Sequence, residues 1–497
     1  MRVQLQLIFI LIFAFFSYSC SDKSGEIELN PTIPPGDETP KDEDKEEPEQ
    51  PEEPTGPQVK EFPIFPGGTI AFPGAEGYGK NAVGGRSGEV VHVTNLNDSG
   101  PGSFRDAISK PNRIVVFDVA GIIKLSSSPL VLQSNQTILG HTAPGDGVVL
   151  YNGRLSASGA HNTIVRYLRV RMGAAFPSQA DAGGMANGSN VIFDHCSFTW
   201  GRDENFSING DGRGTPPQNI TIQNSIIGQG LQNHSCGGLM QTGITDGVTI
   251  FRNLYIDNNS RNPKVKGLNQ FVNNVVYNWG VGTAYDMGGD SDGPSETAIE
   301  DNYFIVGLGK DYRNNVMTYI NPSRPFSGGN AQFRTFWKGN YYDSNKDGIL
   351  NGRPMDWELD CSGSPTFLDA RSNLHPLISS QMTAERAYEW IVDNVGASLP
   401  KRDQVDEYLV EELTSLGTKG TIIRNETNKE QFPLGGPGVI QTGTKPLDTD
   451  NDGMPDEFEE KWGLDKNDPS DAMNIANNGY TNIENYAFSL EYPNQYK

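Results

Sequence analysis

Cysteine and histidine are scarce in this chain, which excludes zinc sites built from closely spaced thiols and imidazoles. Among 497 residues there are four cysteines and six histidines, and no cysteine has zinc-binding spacing. With Cys20 set aside, three thiols remain, so at least one is unpaired. Cys196 lies in an alternating strand pattern and is predicted to be a small core residue. Cys236 and Cys361 could form a disulfide, and their spacing does not decide the question.

Basic residues are also few, which argues against a nucleic-acid partner. The chain has 39 Lys and Arg against 62 Asp and Glu, a formal net charge of −23. Residues 21–60 carry 13 acidic and 4 basic side chains, and residues 448–497 carry 12 and 3. These two segments supply −18 of the total charge, so the central body is only mildly acidic. An anionic polymer could therefore bind a local basic groove there, especially with a divalent cation as a bridge.

The N-terminus contains an apolar run, Leu7–Phe16, that is too short to span a membrane and is typical of a signal-peptide core. Cys20 follows the small Ser19 and resembles the lipid-accepting cysteine of bacterial lipoproteins, so residues 1–20 are predicted to be a lipoprotein signal peptide. The alternative is an ordinary secretory signal. Either way we predict export, as an outer-membrane or cell-surface lipoprotein or as a secreted protein. Residues 21–60, rich in Pro, Glu, Asp and Lys, are predicted to be a disordered stalk.

From about residue 160 to 342, short β-branched or aromatic strands alternate with loops. The predicted strands are Thr163–Val170, Val191–Phe198, Ile220–Ile227, Val248–Ile256, Asn269–Tyr277, Ala298–Val306 and Phe333–Tyr342. A polar residue recurs in the last six, at His195, Asn224, Asn253, Asn274, Asn302 and Asn340. Coils of similar length with variable loops are typical of a parallel β-helix, in which stacked asparagines can hydrogen-bond along the axis. A β-sandwich also has evenly spaced strands, but the asparagine recurrence favours an all-β, right-handed parallel β-helix over residues 61–440.

A basic cluster follows the strand Val248–Ile256. Arg261, Lys264 and Lys266 lie within six residues, around Pro263. Proline fixes the local backbone, and alternate residues share one face of an extended segment. Three cations on a rigid turn suit the binding of carboxylates, although the same residues could form a solvated basic loop.

Two stretches resemble one enzyme family. The glycine-rich segment Phe72–Ile123 has the pattern of a cap followed by the first coils of a β-solenoid, and it resembles the N-terminal signature of the pectate lyases, polysaccharide lyase family 1. The segment Arg261–Lys266 resembles their Arg-x-Pro-Arg-x-Arg element. The resemblance implies that Arg261 is the base that removes the substrate's C5 proton, and that Lys266, with Lys264, binds substrate carboxylate. The two lysines replace arginines, which keeps the charge but loses the bidentate fork.

The resemblance also implies a catalytic calcium site in the turns on either side of one strand. β-Elimination from a uronate requires its C6 carboxylate to be neutralised, which Ca²⁺ can do as a Lewis acid. Asp181 and Asp203 are the best matches to the ligands. Gln179 and Ser207 stand where carboxylates are common in the family, and Glu204 could compensate for them.

The loop Gln229–Gly237 lacks the basic residue that the family usually has there. His234 is the candidate for substrate binding or for protonation of the leaving group. An exposed loop histidine without a function is the alternative.

The C-terminal tail contains an EF-hand loop that matches position by position. Glycine stands at position 6, and carboxylates stand at positions 1, 3, 5, 9 and 12, which are Asp448, Asp450, Asp452, Asp456 and Glu459. A second loop, Asn474–Asn485, has asparagine in place of most carboxylates. The pair resembles thrombospondin-3-like or dockerin-like calcium tails. We therefore predict a small calcium-binding tail over residues 441–497, with a stabilising role.

Together these features predict a pectate lyase that acts as a monomer on an acidic polysaccharide, anchored to a membrane through Cys20. It would cleave de-esterified homogalacturonan by calcium-assisted β-elimination and release 4,5-unsaturated oligogalacturonides. A β-helical glycoside hydrolase acting on pectin is one alternative, with paired acids from Asp181, Asp203 and Asp286, but it has no use for the basic cluster. A noncatalytic surface glycan-binding protein is another. A pectin lyase acting on methylated polymer, without calcium, is a nearer variant.

Overall fold

The structure is a computed structural model that describes residues 59–126, 128–210, 215–288 and 294–497. All of these residues belong to one compact unit, Pro57–Lys497. The predicted signal peptide, the lipidation site Cys20 and almost all of the predicted stalk lie outside the described residues. Among the residues described, no helix is both long enough and apolar enough to cross a bilayer.

Three long sheets run along the body, and the chain visits them in turn, one coil after another. Except for the last strand of sheet 2, neighbouring strands within each sheet are parallel. Residues of successive coils are in register: Val191 pairs with Thr163 on one side and with Ile220 on the other. This topology confirms the predicted parallel β-helix.

The strands have the following bounds in the described residues. Sheet 1 contains Glu89–Val93, Arg113–Phe117, Gln136–Leu139, His161–Arg166, Ser189–Asp194, Gln218–Gln223, Val248–Phe251, Leu268–Val272, Ser295–Glu300, Phe333–Lys338 and Thr366–Phe367. Sheet 2 contains Gly121–Lys124, Val148–Tyr151, Arg169–Arg171, Ser197–Thr199, Ile226–Gly228, Leu254–Ile256, Val275–Tyr277, Tyr303–Ile305, Tyr341–Asp343 and Arg353–Pro354. Sheet 3 contains Leu130–Val131, Leu155–Ser156, Gly183–Met185, Phe206–Asn209, Leu239–Gln241, Lys264–Lys266, Tyr285–Met287, Phe326–Gly328 and Cys361–Ser362. A smaller sheet joins Lys310–Asp311, Thr318–Tyr319 and Thr421–Ile422.

Alternate side chains of each strand point inward and stack in rows. One coil contributes Val191, Phe193, Phe198, Phe206 and Ile208, all of which are fully or almost fully buried in the central core. Burial of such side chains contributes about 1.5–3 kcal/mol each. Because each coil buries the same kind of face on its neighbours, the stack is held together by contacts between adjacent coils.

Each predicted strand is in fact two strands separated by a sharp turn. The predicted strand Thr163–Val170 becomes His161–Arg166 in sheet 1 and Arg169–Arg171 in sheet 2. Tyr167, between them, has a φ of 56°, a left-handed conformation that bends the chain from one sheet to the next. The apolar run continues through the bend, so the pattern of side chains does not reveal it.

The asparagine ladder is confirmed for four of its six predicted members. Asn253, Asn274, Asn302 and Asn340 are buried at the turns between sheets 1 and 2. Side-chain amides link them in series, with Nδ2–Oδ1 distances of 3.0, 3.2 and 2.9 Å. The ladder satisfies polar groups that burial would otherwise leave unpaired.

The first two predicted members of the ladder, His195 and Asn224, are wrong, because each lies one residue before the true ladder position. Ser225 and Cys196 continue the row: Ser225 N donates to Asn253 Oδ1 at 2.9 Å, and Cys196 N donates to Ser225 Oγ at 3.0 Å. His195 and Asn224 each precede a row position, with φ of 49° and 55°. Asparagine and histidine tolerate this left-handed conformation better than most residues do, so the pattern mistook turn residues for ladder residues.

In the described residues, six helices lie outside the three sheets, and two of them cover the outer face of sheet 2. The helices are Phe104–Ala107, Trp357–Asp360, Ala384–Asn394, Gln404–Thr414, Asp456–Trp462 and Asn482–Glu491, with 3₁₀ turns at Gly140–Thr142, Arg313–Asn315 and Asp471–Met473. The third and fourth helices place Ile391 and Leu409 against the outward Ile226 and Leu254 of sheet 2. Arg171 of sheet 2 is fully buried and pairs with Asp403 at the start of the fourth helix, at 2.7 Å. Apart from the strand Thr366–Phe367, residues 366–440 therefore wrap the solenoid.

The C-terminal tail covers the outer face of sheet 1 together with the segment that follows the predicted stalk. Phe458, Ile483 and Phe488 belong to one buried cluster with Ile114, Val116, Leu139, Ile164 and Ile192, which lie on four successive strands of sheet 1. Phe62 stacks on Trp462 with ring centroids 4.6 Å apart. In the described chain, neither of these apolar layers extends to the outer face of sheet 3.

Candidate active site

The turns between sheets 2 and 3 stack on one another in three successive coils. Parallel backbone bridges join Glu204 to Cys236 and Cys236 to Ser260, so these residues lie one above another. Beneath them Asn205 Nδ2 donates to Asn258 Oδ1 at 2.8 Å, and both amides are fully buried. Buried amide contacts of this kind fix the turn backbones, so side chains from separate coils converge at one place. Cys236 is free, as are Cys196 and Cys361, so the disulfide that spacing left open is not formed among them.

Three carboxylates meet at this ridge. One oxygen each of Asp181, Asp203 and Glu204 lies within 4.8 Å of the others, and Glu204 N donates to Asp181 Oδ1 at 3.2 Å. Arg261 Nη1 donates to Glu204 Oε1, and His234 Nε2 lies 2.9 Å from Asp203 Oδ1. The Glu204 side chain is 4% exposed whereas that of Asp203 is 40% exposed, so the cluster opens to solvent on the Asp203 side.

Crowding and burial change the protonation of this cluster. Burial, followed by the charges of Asp181 and Asp203, raises the pKa of Glu204 to about 8, and burial also raises the pKa of Asp181. A hydrogen bond from His234 lowers the pKa of Asp203. The same bond, with a further contribution from Cys236, raises the pKa of His234 to about 10. The raised pKa values of the buried Glu204 and the half-buried Asp181 indicate that Arg261 alone does not balance the negative charge of the cluster, and a divalent cation would supply further positive charge.

The basic cluster lies beside the carboxylates. Arg261 has a φ of 56° and a side chain 30% exposed. Burial alone would lower the pKa of its guanidinium, but the neighbouring Cys236 and Glu204 raise it. The strand Lys264–Lys266 follows, with Val265 buried and the two lysines half-buried on the outer face of sheet 3. The predicted sharing of one face by the lysines is therefore observed.

The structure brings most of the candidate residues together, namely Arg261, Asp181, Asp203, Glu204 and His234, with both lysines on the adjoining strand. Gln179 and Ser207, at the two positions where the sequence resemblance implies carboxylates, lie in different surroundings: Gln179 is exposed, and Ser207 is buried with its Oγ accepting from Leu239 N at 3.1 Å. Asp286, the third acid of the hydrolase alternative, pairs in register with Lys264 in sheet 3 and lies outside the carboxylate cluster.

A cavity of about 690 Å³ adjoins the cluster and contains two arginines that sequence reasoning missed. His234 lines this cavity together with Arg202 and Arg424. Arg202 lies in the same turn as Asp203, but no motif marks it. Arg424 is distant in sequence, and it reaches the cavity because Thr421–Ile422 pairs with Lys310–Asp311 in the smaller sheet.

A second group of acids lies in the tail. Ligand oxygens of Asp448, Asp450 and Asp452 lie within 4.8 Å of one another, and Asp452 forms a similar group with Glu459 and Asp471. Both carboxylate oxygens of Asp450 and of Glu459 are buried without a hydrogen-bond partner in the described part of the chain. Burial, followed by the neighbouring acids, raises the pKa of Asp452 to about 7 and that of Glu459 to about 8. Crowded, unpaired carboxylates of this kind fit a calcium ion.

One predicted tail ligand lies outside this group, and one unpredicted residue lies within it. Asp456 accepts hydrogen bonds from Thr449 N and Thr449 Oγ1, both at 2.8 Å, and so closes the loop. Asp471 joins the group from the second loop region, where Asn482 Nδ2 donates to Asp471 O at 2.9 Å. The sequence signal for Asp471 is weak because it precedes the asparagine-rich second loop and does not fall in the EF-hand pattern.

Sequence comparison finds relatives along most of the chain. A probable pectate lyase C of Aspergillus flavus is 48% identical over 426 residues, which cover 86% of this chain and 95% of that protein. A probable pectate lyase C of Neosartorya fischeri is 48% identical over 421 residues, 85% of this chain and 94% of that protein. Pectate lyase 5 of Ambrosia artemisiifolia is 27% identical over 246 residues, 44% of this chain and 58% of that protein. No family model matches the chain.

Structure comparison finds more distant likenesses. Jun a 1, the major allergen from cedar pollen, matches with a TM-score of 0.46 and 18% identity, over 65% of this chain and 92% of that one. The pectate lyase Bsp165PelA from Bacillus sp. N165, solved in complex with trigalacturonate, matches with a TM-score of 0.40 and 16% identity, over 65% and 98% of the two chains.

Proposed function

Because this chain belongs to the pectate lyases, we propose that it cleaves de-esterified homogalacturonan by β-elimination at the cluster around Arg261. The observation that carries this proposal is the grouping of one arginine, three carboxylates and two lysines at one place. Arg261 is held against three converging carboxylates, while Lys264 and Lys266 face outward from the adjoining strand. The arrangement offers a base, a cation site and two positive charges for uronate carboxylates.

We infer that Asp181, Asp203 and Glu204 hold a calcium ion. The fit rests on ligand oxygens within 4.8 Å of one another and on the raised pKa values of Asp181 and Glu204, both of which call for added positive charge. When bound, calcium neutralises the C6 carboxylate of a uronate and so makes its C5 proton more acidic. Sharing the Glu204 charge with a bound cation would also weaken its hold on Arg261.

Arg261, His234 and the two lysines would each have a separate role in the elimination. Arg261, in its neutral form, accepts the C5 proton, the electron pair of the C5–H bond forms the C4–C5 double bond, and the C4–O4 bond breaks. The leaving oxygen takes a proton from His234 or from solvent. A guanidinium normally stays protonated, so the base role requires nearby cations, and Lys264 and Lys266 lie on the following strand. The lysines would hold the substrate carboxylates.

The alternatives fit this geometry less well. A glycoside hydrolase needs two carboxyl groups on either side of a sugar, about 5–9.5 Å apart, whereas Asp181, Asp203 and Glu204 crowd together in one group. A surface glycan-binding protein would have no need of a cluster that holds a candidate base against three carboxylates. It remains the second candidate because the tail and the predicted anchor suit it equally well.

The deciding experiment follows ultraviolet absorbance of polygalacturonate mixed with the mature protein, first with calcium and then with excess chelator. Absorbance that rises with calcium and stops with chelator supports elimination. A rise on methylated polymer alone favours the pectin lyase variant, and new reducing ends without absorbance favour the hydrolase. A flat trace on both polymers, from protein that is folded by circular dichroism, contradicts the proposal and favours glycan binding.

We expect Glu204→Gln and Asp203→Asn to raise the calcium concentration needed for half-maximal activity by at least about tenfold. Each removes a negative charge from the cluster, and even outer-shell partners of metals change affinity by 10–100-fold. The measurement is a calcium titration of initial rates. Asp286→Asn is the control, because Asp286 lies on a strand of sheet 3 and outside the cluster. An unchanged calcium requirement in both cluster variants would mean that the ion binds elsewhere.

For the tail we propose a calcium ion held by Asp448, Asp450, Asp452, Glu459 and Asp471, the last in place of Asp456. The domain boundary at 441, the signal peptide, the anchor at Cys20, export and the monomeric state stay predictions. Labelling of cells with a radioactive fatty acid tests the anchor, since Cys20→Ala would lose the label if the prediction is right.

A further inference from the structure

The cavity beside the carboxylate cluster is lined by basic and amide side chains, which is unusual in so acidic a protein. Its described lining residues include Arg202, Arg424 and His234 together with amide side chains such as Gln232 and Asn233, and no carboxylate. The whole chain carries a net charge of −23. A concave surface with two arginines and without acids therefore differs from the rest of the protein in the direction that favours anionic ligands.

Arg424 is held in place by the segment that wraps the solenoid. Gln232 N donates to Ile423 O at 2.9 Å, which ties this segment to the loop that carries His234. On the other side, Gln431 Oε1 accepts from Arg424 N at 2.8 Å. The backbone on which Arg424 stands is therefore fixed from two directions, and its side chain enters the cavity from a defined position.

The two guanidinium groups keep donors available. Arg424 Nη1 donates to Asn233 Oδ1 at 2.5 Å, and Arg202 Nη1 donates to Phe176 O. Within the described residues neither arginine forms an ion pair with a carboxylate. The nearby acid Glu426 is fully buried and engaged elsewhere, since it accepts from Tyr151 OH at 3.0 Å and from Ala174 N at 2.9 Å.

The cavity is continuous with the proposed catalytic cluster through one residue. His234 lines the cavity, and its Nε2 lies 2.9 Å from Asp203 Oδ1. A polymer that places one uronate at Arg261 can therefore extend across His234 toward the two arginines. Guanidinium groups bind carboxylates through paired, charge-assisted hydrogen bonds.

We propose that Arg202 and Arg424 form a carboxylate-binding subsite that holds further uronate units of an acidic polysaccharide next to the catalytic cluster. This inference rests on the proposed function for its ligand class and deepens it. It assigns a role in substrate binding to the wrapping segment around Thr421–Ile422, which lies outside the basic motif at Arg261. Methyl-esterified units, which carry no charge, should not be recognised there.

The kinetic test compares Arg424→Gln and Arg202→Gln with Arg386→Gln on polygalacturonate. We expect each cavity variant to raise KM by about tenfold or more with kcat changed less than twofold, because charge-assisted hydrogen bonds typically have effects of this size. Arg424→Lys should lie between wild type and Arg424→Gln. Arg386 is an exposed helix residue, 74% accessible and paired with the similarly exposed Glu389, so its variant should keep the wild-type KM.

A binding measurement separates this inference from the proposed reaction. Calorimetry with oligogalacturonate is carried out on Arg261→Ala protein alone and combined with either Arg424→Gln or Arg202→Gln, and repeated with the methyl-esterified oligomer. Affinity lost only for the charged oligomer supports the subsite, even if no variant shows lyase activity. Wild-type KM and unchanged affinity in both cavity variants, with unchanged thermal unfolding, would overturn it. A loss of affinity equal for charged and esterified oligomers would also overturn it, because a carboxylate-specific site must distinguish them.

Discussion

Replacement of Arg261 by alanine is expected to lower kcat on polygalacturonate by about a thousandfold. General bases typically accelerate a reaction by about 10²–10⁴-fold. Among the described side chains near the carboxylate cluster, Arg261 is the one to which we assign the role of base. KM should change much less, because Lys264 and Lys266 still supply positive charge for the substrate. Initial rates from the absorbance of the unsaturated product measure both quantities.

The Arg261 result needs controls for charge and for folding. Arg261 is the ion-pair partner of the buried Glu204, so its removal also leaves that carboxylate uncompensated. Arg261→Lys keeps a cation beside Glu204 but not the fork geometry, so it should restore the charge balance without recovering the full rate. Arg386→Ala provides the matched surface control. Activity of Arg261→Ala within tenfold of wild type would assign the base to another residue.

Removal of calcium is expected to lower the thermal unfolding midpoint of the protein, through the tail site. A ligand at a thousandfold excess over its dissociation constant stabilises the folded state by about 4 kcal/mol. For a compact unit of this size that corresponds to about 4 °C, given the usual unfolding entropy per residue. Scanning calorimetry with calcium and with chelator measures the shift.

A pair of neighbouring glutamates on one helix tests where this stabilisation arises. Glu459→Gln removes a buried acid whose two oxygens are unpaired, and it should abolish most of the calcium response. Glu457→Gln, on the exposed side of the same helix Asp456–Trp462, should leave the response intact. Equal calcium responses in the two variants would contradict a tail ion bound by Glu459.

The same carboxyls predict how pH affects the calcium-free protein. The folded-state pKa values of Asp452, about 7, and Glu459, about 8, are raised above their unfolded values. The folded state therefore holds protons that the unfolded chain has already lost, and stability falls as pH rises from about 4 through 8. With chelator present, we expect the unfolding midpoint to be lower at pH 8.5 than at pH 5.5. Calcium should remove most of this difference.

The fold was predictable because coils that stack on one another must repeat the same buried face. Row residues such as Asn253 and Asn274 mark that repeat directly in the sequence. The register of Asn224 was not predictable, because a turn asparagine with positive φ and a ladder asparagine are the same residue type one position apart. The division of each apparent strand in two was hidden for a related reason, since the apolar pattern continues through the bend at Tyr167.

Some residues of the candidate sites were predictable from the sequence, and others were not. Arg261 and the lysines lie in a short basic cluster and Asp203 in a single turn, so the local resemblance of these segments to elements of the pectate lyases sufficed to propose them. Arg424 and Asp471 reach their positions only through tertiary packing, in one case by pairing of a strand with a distant segment and in the other by docking of a second loop. No local pattern could have predicted either position.

The packing of the tail against sheet 1 has a consequence for the way in which the protein unfolds. A stack of coils resembles a one-dimensional chain of neighbours that frays from its ends. Here Ile114, Leu139, Ile164 and Ile192, on successive coils, share one buried cluster with residues of the tail. The first coils therefore cannot open one at a time, because each opening must also detach the tail. That end of the solenoid should unfold as a single cooperative block, and hydrogen exchange should show equal protection across its coils.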